Sequence, residues 1–264
     1  MLSMTSGWQD DLQRPFRRYL STVPEVTVLF WLIKVLVTPV GDGTVDYLTG
    51  LLGLGITTML VATPLAVLLV AQLAIGRYVP WLYWLIVLLI GVFGILINDN
   101  LTDIFDVPAT TAALAFAVLL AAVLATWYAT ERTLSIHTID TPRREAYYWL
   151  AVLFTFALGA AASDAGGESF GLGYGGAATV LAVAIAAVWA THRFLKVNGA
   201  LAFWIGYVLT FPLGATVADL VARPAATTAA ALVTMVGAVT YLTVSHRDEP
   251  SLTAEASRFP SRWR

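Results

Sequence analysis

The sequence predicts an all-α polytopic membrane protein: eight transmembrane helices arranged as four parallel two-helix repeats, with the N and C termini cytoplasmic. Three observations predict this. Of 264 residues, 58% are hydrophobic and only 12% charged, at a mean hydropathy of +0.77, whereas a soluble domain carries about 25% charge. Apolar runs recur at the length that crosses a hydrocarbon layer, roughly 20 residues. One phrase also occurs four times without a gap: an aromatic-Trp pair, nine residues, a Gly, four residues and an Asp.

The apolar runs lie at 25–45, 52–75, 80–98, 107–129, 146–163, 171–192, 198–221 and 225–245, and the third and fifth are expected to extend to their terminal Asp. The strict alternation of β-barrel strands is absent. Arg14, Arg17 and Arg18 precede the first run, which is too long for a signal-peptide core and is expected to stay as the first span. Basic residues then set the orientation. Arg14, Arg17, Arg18, Arg77, Arg132, Arg143, Arg144, Arg193, Lys196, Arg247, Arg258, Arg262 and Arg264 all fall at one end, and the opposite loops hold only Arg223. The predicted organisation is a cytoplasmic segment 1–24, a membrane domain 25–245 with repeats near 25–75, 80–129, 146–192 and 198–245, and a cytoplasmic tail 246–264.

The repeated phrase runs Phe30-Trp31 to Gly41 to Asp46, Tyr83-Trp84 to Gly94 to Asp99, Tyr148-Trp149 to Gly159 to Asp164, and Phe203-Trp204 to Gly214 to Asp219. Pro39 and Pro212 also correspond. Because the unit is a helix pair, every copy enters from the same side and the repeats are parallel. The Trp residues are expected to anchor at the headgroup boundary and the glycines to permit close helix contact. Pro39 and Pro212 are expected to kink their helices. Gly53-Leu54-Gly55 and Gly171-Leu172-Gly173 follow their Asp by seven residues and read as turn and helix-entry residues.

The repeated Asp is where function is expected, since carboxylates at hydrocarbon edges are costly and usually functional. Lys34, Thr38 and Asp42 stand at successive i+4 positions and form one stripe toward Asp46. Lys34 is expected to face the bundle interior and pair with a carboxylate, either as a packing ion pair or as a group that competes with transported cations or releases a proton. The run Asn98-Asp99-Asn100-Leu101-Thr102-Asp103 supplies oxygen ligands suited to a hard cation, or helix-capping amides. Asp164 and Glu168 are again i+4, and Asp219 is i+4 to Arg223. The expected ion-binding set is Asp42, Asp46, Asp99, Asp103, Asp164, Glu168 and Asp219, with Lys34 and Thr38 as coupling residues. Asp46, Asp99, Asp103 and Asp164 are the candidate metal ligands.

Other chemistries find little support. There is no cysteine, and His137, His192 and His246 lack zinc-site spacing. No phosphate loop or dinucleotide fingerprint occurs, nor an intramembrane aspartyl-protease motif, so neither an enzyme nor nucleic-acid binding is expected.

The stretches VPEVTVLFWLIKVLVTPVGDGTVDYL, WLIVLLIGVFGILINDNLTDIF, REAYYWLAVLFTFALGAAASDAGGESFGLGY and LAFWIGYVLTFPLGATVADLV resemble the bacterial and archaeal "uncharacterised membrane-anchored" proteins built from tandem two-helix repeats of unknown function. The resemblance implies the fold, the repeat count and a bacterial or archaeal cell membrane, but no activity. The family's first repeat reads Thr-Thr-x-Gly-Glu, whereas Thr38-Pro39-Val40-Gly41-Asp42 stands here.

The expected function is a secondary transporter or exporter of a small cation, with a divalent ion such as Mn²⁺ as candidate cargo and proton exchange as candidate coupling. A cation channel and a non-transporting scaffold or sensor are the alternatives. No cofactor beyond the bound ion is expected; the partners are the lipid bilayer and the cation, and the chain could work alone or as a homodimer.

Overall fold

The computed structural model describes residues 21–167, 173–195, 198–220 and 224–245. Among these the chain forms eight α-helices: α1 Val28–Leu52, α2 Leu54–Ile75, α3 Pro80–Asp99, α4 Ala109–Glu131, α5 Pro142–Gly167, α6 Gly173–Leu195, α7 Gly199–Leu220 and α8 Pro224–Ser245. No strand occurs among the described residues. Seven of these helices are long and apolar enough to cross a membrane, and α6 contributes a shorter apolar stretch, Ala178–Phe194.

Local chemistry explains the boundaries. The Thr27 hydroxyl accepts the Phe30 amide at 3.3 Å and opens α1, and Pro80 opens α3 at the position where a missing amide costs nothing. Gly76, with φ 58°, closes α2 in the left-handed conformation that lacks a Cβ penalty. Two boundaries differ from the sequence reading. The first helix runs on to Leu52, so Asp42 and Asp46 lie within it rather than at its end. Beyond Asp99, α3 continues into a π-helical turn, Asn100–Ile104, a distortion common at functional sites.

The odd helices form a closed inner ring, in which α1 packs on α3, α3 on α5, α5 on α7 and α7 on α1. The even helices lie outside, mainly against the odd helix that follows: α2 on α3, α4 on α5, α6 on α7, and α8 back on α1. Burial agrees, because 67% of the apolar window of α3 is buried against 17% for α2, α4 and α8. The outward faces stay apolar, with Ile56, Met59, Val67, Val118 and Val233 exposed.

Two sets of contacts close this ring, each repeated four times. At the helix starts, the first aromatic of each pair packs on the Trp of the next inner helix. Ring centroids are 5.4 Å apart for Phe30–Trp84, 5.4 Å for Tyr83–Trp149, 6.0 Å for Tyr148–Trp204 and 5.7 Å for Phe203–Trp31. Midway along, the repeated Gly admits the next helix. A Cβ at Gly94 would stand 2.8 Å from Phe156 Cβ, one at Gly159 2.5 Å from Phe211 Cβ, and one at Gly214 2.7 Å from Thr38 Cβ. Gly41 faces Ile95 and Val92 of α3 with slightly more room. The glycines therefore pack as expected, whereas three of the four repeated Trp residues turn into the ring rather than outward. Trp84, Trp149 and Trp204 are buried in the ring and Trp31 is half-buried, whereas Trp81, Tyr128 and Trp189 are among the exposed aromatics. The indole completes an aromatic layer whose burial outweighs its preference for an interface.

Pro39, Pro64 and Pro212 all lie inside continuous helices. Pro39 has no amide to offer the Val35 carbonyl one turn back, and that oxygen faces Gly214, where a Cβ would approach to 2.7 Å.

Candidate functional site

Viewed along the ring, each inner helix places residues from its aromatic at intervals of four into the interior. The first layer is Phe30, Tyr83, Tyr148 and Phe203; the second is Lys34, Val87, Val152 and Tyr207; the third is Thr38, Gly91, Phe156 and Phe211, and all twelve are buried. Ridges at i+4 spacing are the rows by which helices interdigitate, so one polar side chain in such a row becomes an interior group.

Lys34 is that group. It is 1% exposed, and its ammonium lies 3.6 Å from the centroid of the Phe156 ring and 4.3 Å from that of Tyr207. The expectation of an interior position holds, but the expected carboxylate partner is absent among the described residues, whose ion pairs lie elsewhere. The reason is axial distance. Asp42 and Asp46 are eight and twelve residues along α1, about 12 and 18 Å at the helical rise, beyond the reach of the Lys34 side chain. The faces of two aromatic rings take the place of the counter-ion. Thr38, one turn on, is also buried, with its hydroxyl unpartnered.

The carboxylates gather at the opposite end of the inner helices. Asn98 is fully buried and its Nδ2 donates to Asp164 Oδ2 at 2.7 Å, linking α3 to α5. It is thus an interhelical strut rather than a cap. Asn100 does bond back to its own helix, through Nδ2 to the Leu96 carbonyl at 2.6 Å, and reaches Thr58 of α2 at 2.8 Å. Asp99 lies within electrostatic reach of Asp103, Asp164 and Asp46. The end therefore brings together Asp46, Asp99, Asp103 and Asp164, with half-buried Asp42 deeper on the Lys34 stripe. Among the described residues, no group of three or more such side chains is close enough to share one metal ion. Glu168 and Arg223 lie outside the described residues, as does the side chain of Asp219.

The other end of the ring holds polar groups that the sequence reading missed. Glu145, in the first turn of α5, is 2% exposed. Its Oε1 accepts Gln72 Nε2 at 3.0 Å and Trp149 Nε1 at 3.4 Å. Its neighbour Arg144 is held away, on Glu131 at 2.8 Å and Asp140 at 3.0 Å. The Tyr83 and Tyr148 hydroxyls share a hydrogen bond of 2.5 Å. The Tyr207 hydroxyl lies within interaction distance of that of Tyr148. Over this end, Ser21 Oγ donates to the Ile136 carbonyl at 3.1 Å and the Thr22 amide to that of Ile139 at 2.9 Å. Glu145 fell one residue outside the predicted fifth span, where an acid reads as a loop residue. Gln72, inside the second span, was a usable signal.

Residues 82–133 and 147–197 each match a family described as "Repeat of Unknown Function (DUF347)". The matched units are α3 with α4 and α5 with α6, so tandem helix-pair repeats are present in this chain. The comparison with curated proteins returned no match, and neither did that with solved structures.

Proposed function

We propose that the chain is a multi-pass protein of a bacterial or archaeal cell membrane, built from four parallel helix-pair repeats with both termini cytoplasmic, and that it transports a small cation in exchange for protons along the axis of the inner ring. The observation that carries this reading is Lys34, an ammonium enclosed by aromatic rings in the middle of the ring with no counter-ion among the described residues. A lone charge at such depth costs about 2.5–3.5 kcal/mol on insertion scales, and a packed scaffold gains nothing from it. The acidic end supplies the complement, since carboxylates attract cations to a mouth that the Lys34 stripe joins to the interior.

Exchange follows from Coulomb repulsion. An ammonium and a second cation repel strongly at short range in a low-dielectric interior. A cation therefore moves inward once Lys34 has given up its proton, and reprotonation of Lys34 drives the cation out. Occupancy by cation and by proton is mutually exclusive, which is the requirement for antiport.

The test is ion flux in proteoliposomes across a panel of Mn²⁺, Mg²⁺, Ca²⁺, Na⁺ and K⁺, with a pH dye inside. One ion should move, with opposed proton movement, and both should be lost in Asp99→Asn and Lys34→Met. Flux at channel rates would favour a pore, and silence across the panel from folded protein would favour a scaffold or sensor.

A further inference from the structure

We propose that Glu145 is the proton-binding group at the aromatic end of the ring axis, and that Tyr83, Tyr148 and Tyr207 connect it to Lys34. The inference rests on the transport reading for its role, but the site stands on its own geometry.

Glu145 can hold either protonation state. Two side-chain donors and the start of a helix stabilise the carboxylate. Near-complete burial, with no basic partner among the described residues, makes the neutral acid accessible as well. The groups facing it are Gln72 from α2, Trp149 and Tyr148 from its own helix, and Thr22 from the segment preceding α1. Arg144, the nearest base in sequence, is engaged by Glu131 and Asp140. A buried carboxyl serving only to pack α5 would need none of the hydroxyls that follow it inward.

Those hydroxyls form a path. Tyr148 lies one turn beyond Glu145 and within its electrostatic reach, and it shares a hydrogen bond with Tyr83. Tyr207 borders both Tyr148 and the Lys34 ammonium. Lys34 and Glu145 are separated by seven residues of helical register, about 10 Å along the axis, which two layers of phenol bridge. Gln72 Oε1, beside Glu145, is a buried polar atom without a partner, as are the indole nitrogens of Trp84 and Trp127 at the same end, whereas buried polar groups are usually paired. In the transfer, the Lys34 ammonium gives a proton to the chain. Each phenol accepts one proton and passes one on, ending unchanged, and the Glu145 carboxylate takes up the last. Lys34 and Glu145 both finish neutral. The Tyr207–Tyr148 contact, where the path passes from the first layer to the second, is where it opens and closes.

Two measurements test this. Infrared difference spectroscopy of the purified protein across a pH titration should show a protonated-carboxyl band that is absent from Glu145→Gln; an unchanged band set in that variant overturns the inference whether or not the protein transports. In proteoliposomes, cation-driven proton movement should fall by about tenfold or more in Glu145→Gln and in the shape-preserving Tyr148→Phe, and wild-type rates in both variants overturn it. If the wild-type protein moves no ion at all, the transport reading fails, and the infrared band still decides whether Glu145 binds a proton.

Discussion

The Lys34 ammonium of α1 rests on the face of Phe156 of α5, 3.6 Å from the ring centroid, across the middle of the inner ring. The two helices are opposite members of that ring, not neighbours packed side by side. The contact therefore defines the axis, and it sets a charge against a π-face where hydrocarbon packing would have been more stable.

Lys34→Met should for that reason leave the melting temperature unchanged or raise it, by an amount corresponding to as much as about 3 kcal/mol. Thermal unfolding in detergent measures this. A clear loss of stability would show that the ammonium has a structural partner.

The ring glycines should form a graded series. Gly94→Ala and Gly159→Ala drive a methyl into the Cβ atoms of Phe156 and Phe211, and should cost roughly 1–3 kcal/mol each. Gly41→Ala meets the flexible end of Ile95 at 3.3 Å and Val92 at an ordinary contact distance of 3.8 Å, and Gly50→Ala meets nothing within 4 Å. Melting temperatures should fall in the order 50, 41, 94 and 159, with position 50 unaffected. Equal effects at all four would contradict the close approach of the inner helices.

Tyr83→Phe and Tyr148→Phe should each destabilise by about 1–2 kcal/mol, because each removes one end of a buried interhelical hydrogen bond. The double variant should cost less than the sum, since it removes both partners. A double-mutant cycle reads the coupling, and strict additivity would mean that the two hydroxyls do not interact.

Asn98→Ala removes a buried donor to a carboxylate and should cost about 1.5–3 kcal/mol. Asp164→Asn keeps an acceptor oxygen at the same place and should cost less. Chemical or thermal unfolding of both variants compares them, and the reverse order would place the strut's energy elsewhere.

How much of this was legible in the sequence differs from residue to residue. The place of Lys34 in the interior followed from one charge within an apolar run, but its aromatic surroundings did not. Phe156 belongs to another helix 122 positions away in sequence, and helical spacing says nothing about which helix lies opposite. The acids on α1, α3 and α5 were visible as a spacing, whereas the Asn98–Asp164 strut depends on the register of α3 against α5. Glu145 was missed because hydropathy ends a span at the first acid, while hydrogen bonds and a covering segment can bury that acid.

By itself the sequence determined the eight apolar helices, their tandem helix-pair repetition and the recurrence of aromatic, Gly and Asp, because period, length and composition are properties of a chain read locally. Only the tertiary structure decided that odd helices are inside and even ones outside, that each Gly admits the following inner helix, and that the aromatic pairs close into a layer. These are choices among surfaces of nearly equal hydrophobicity. In such a chain apolar pattern cannot rank one helix face above another, and close packing of Gly against Phe and of Phe or Tyr against Trp makes the selection.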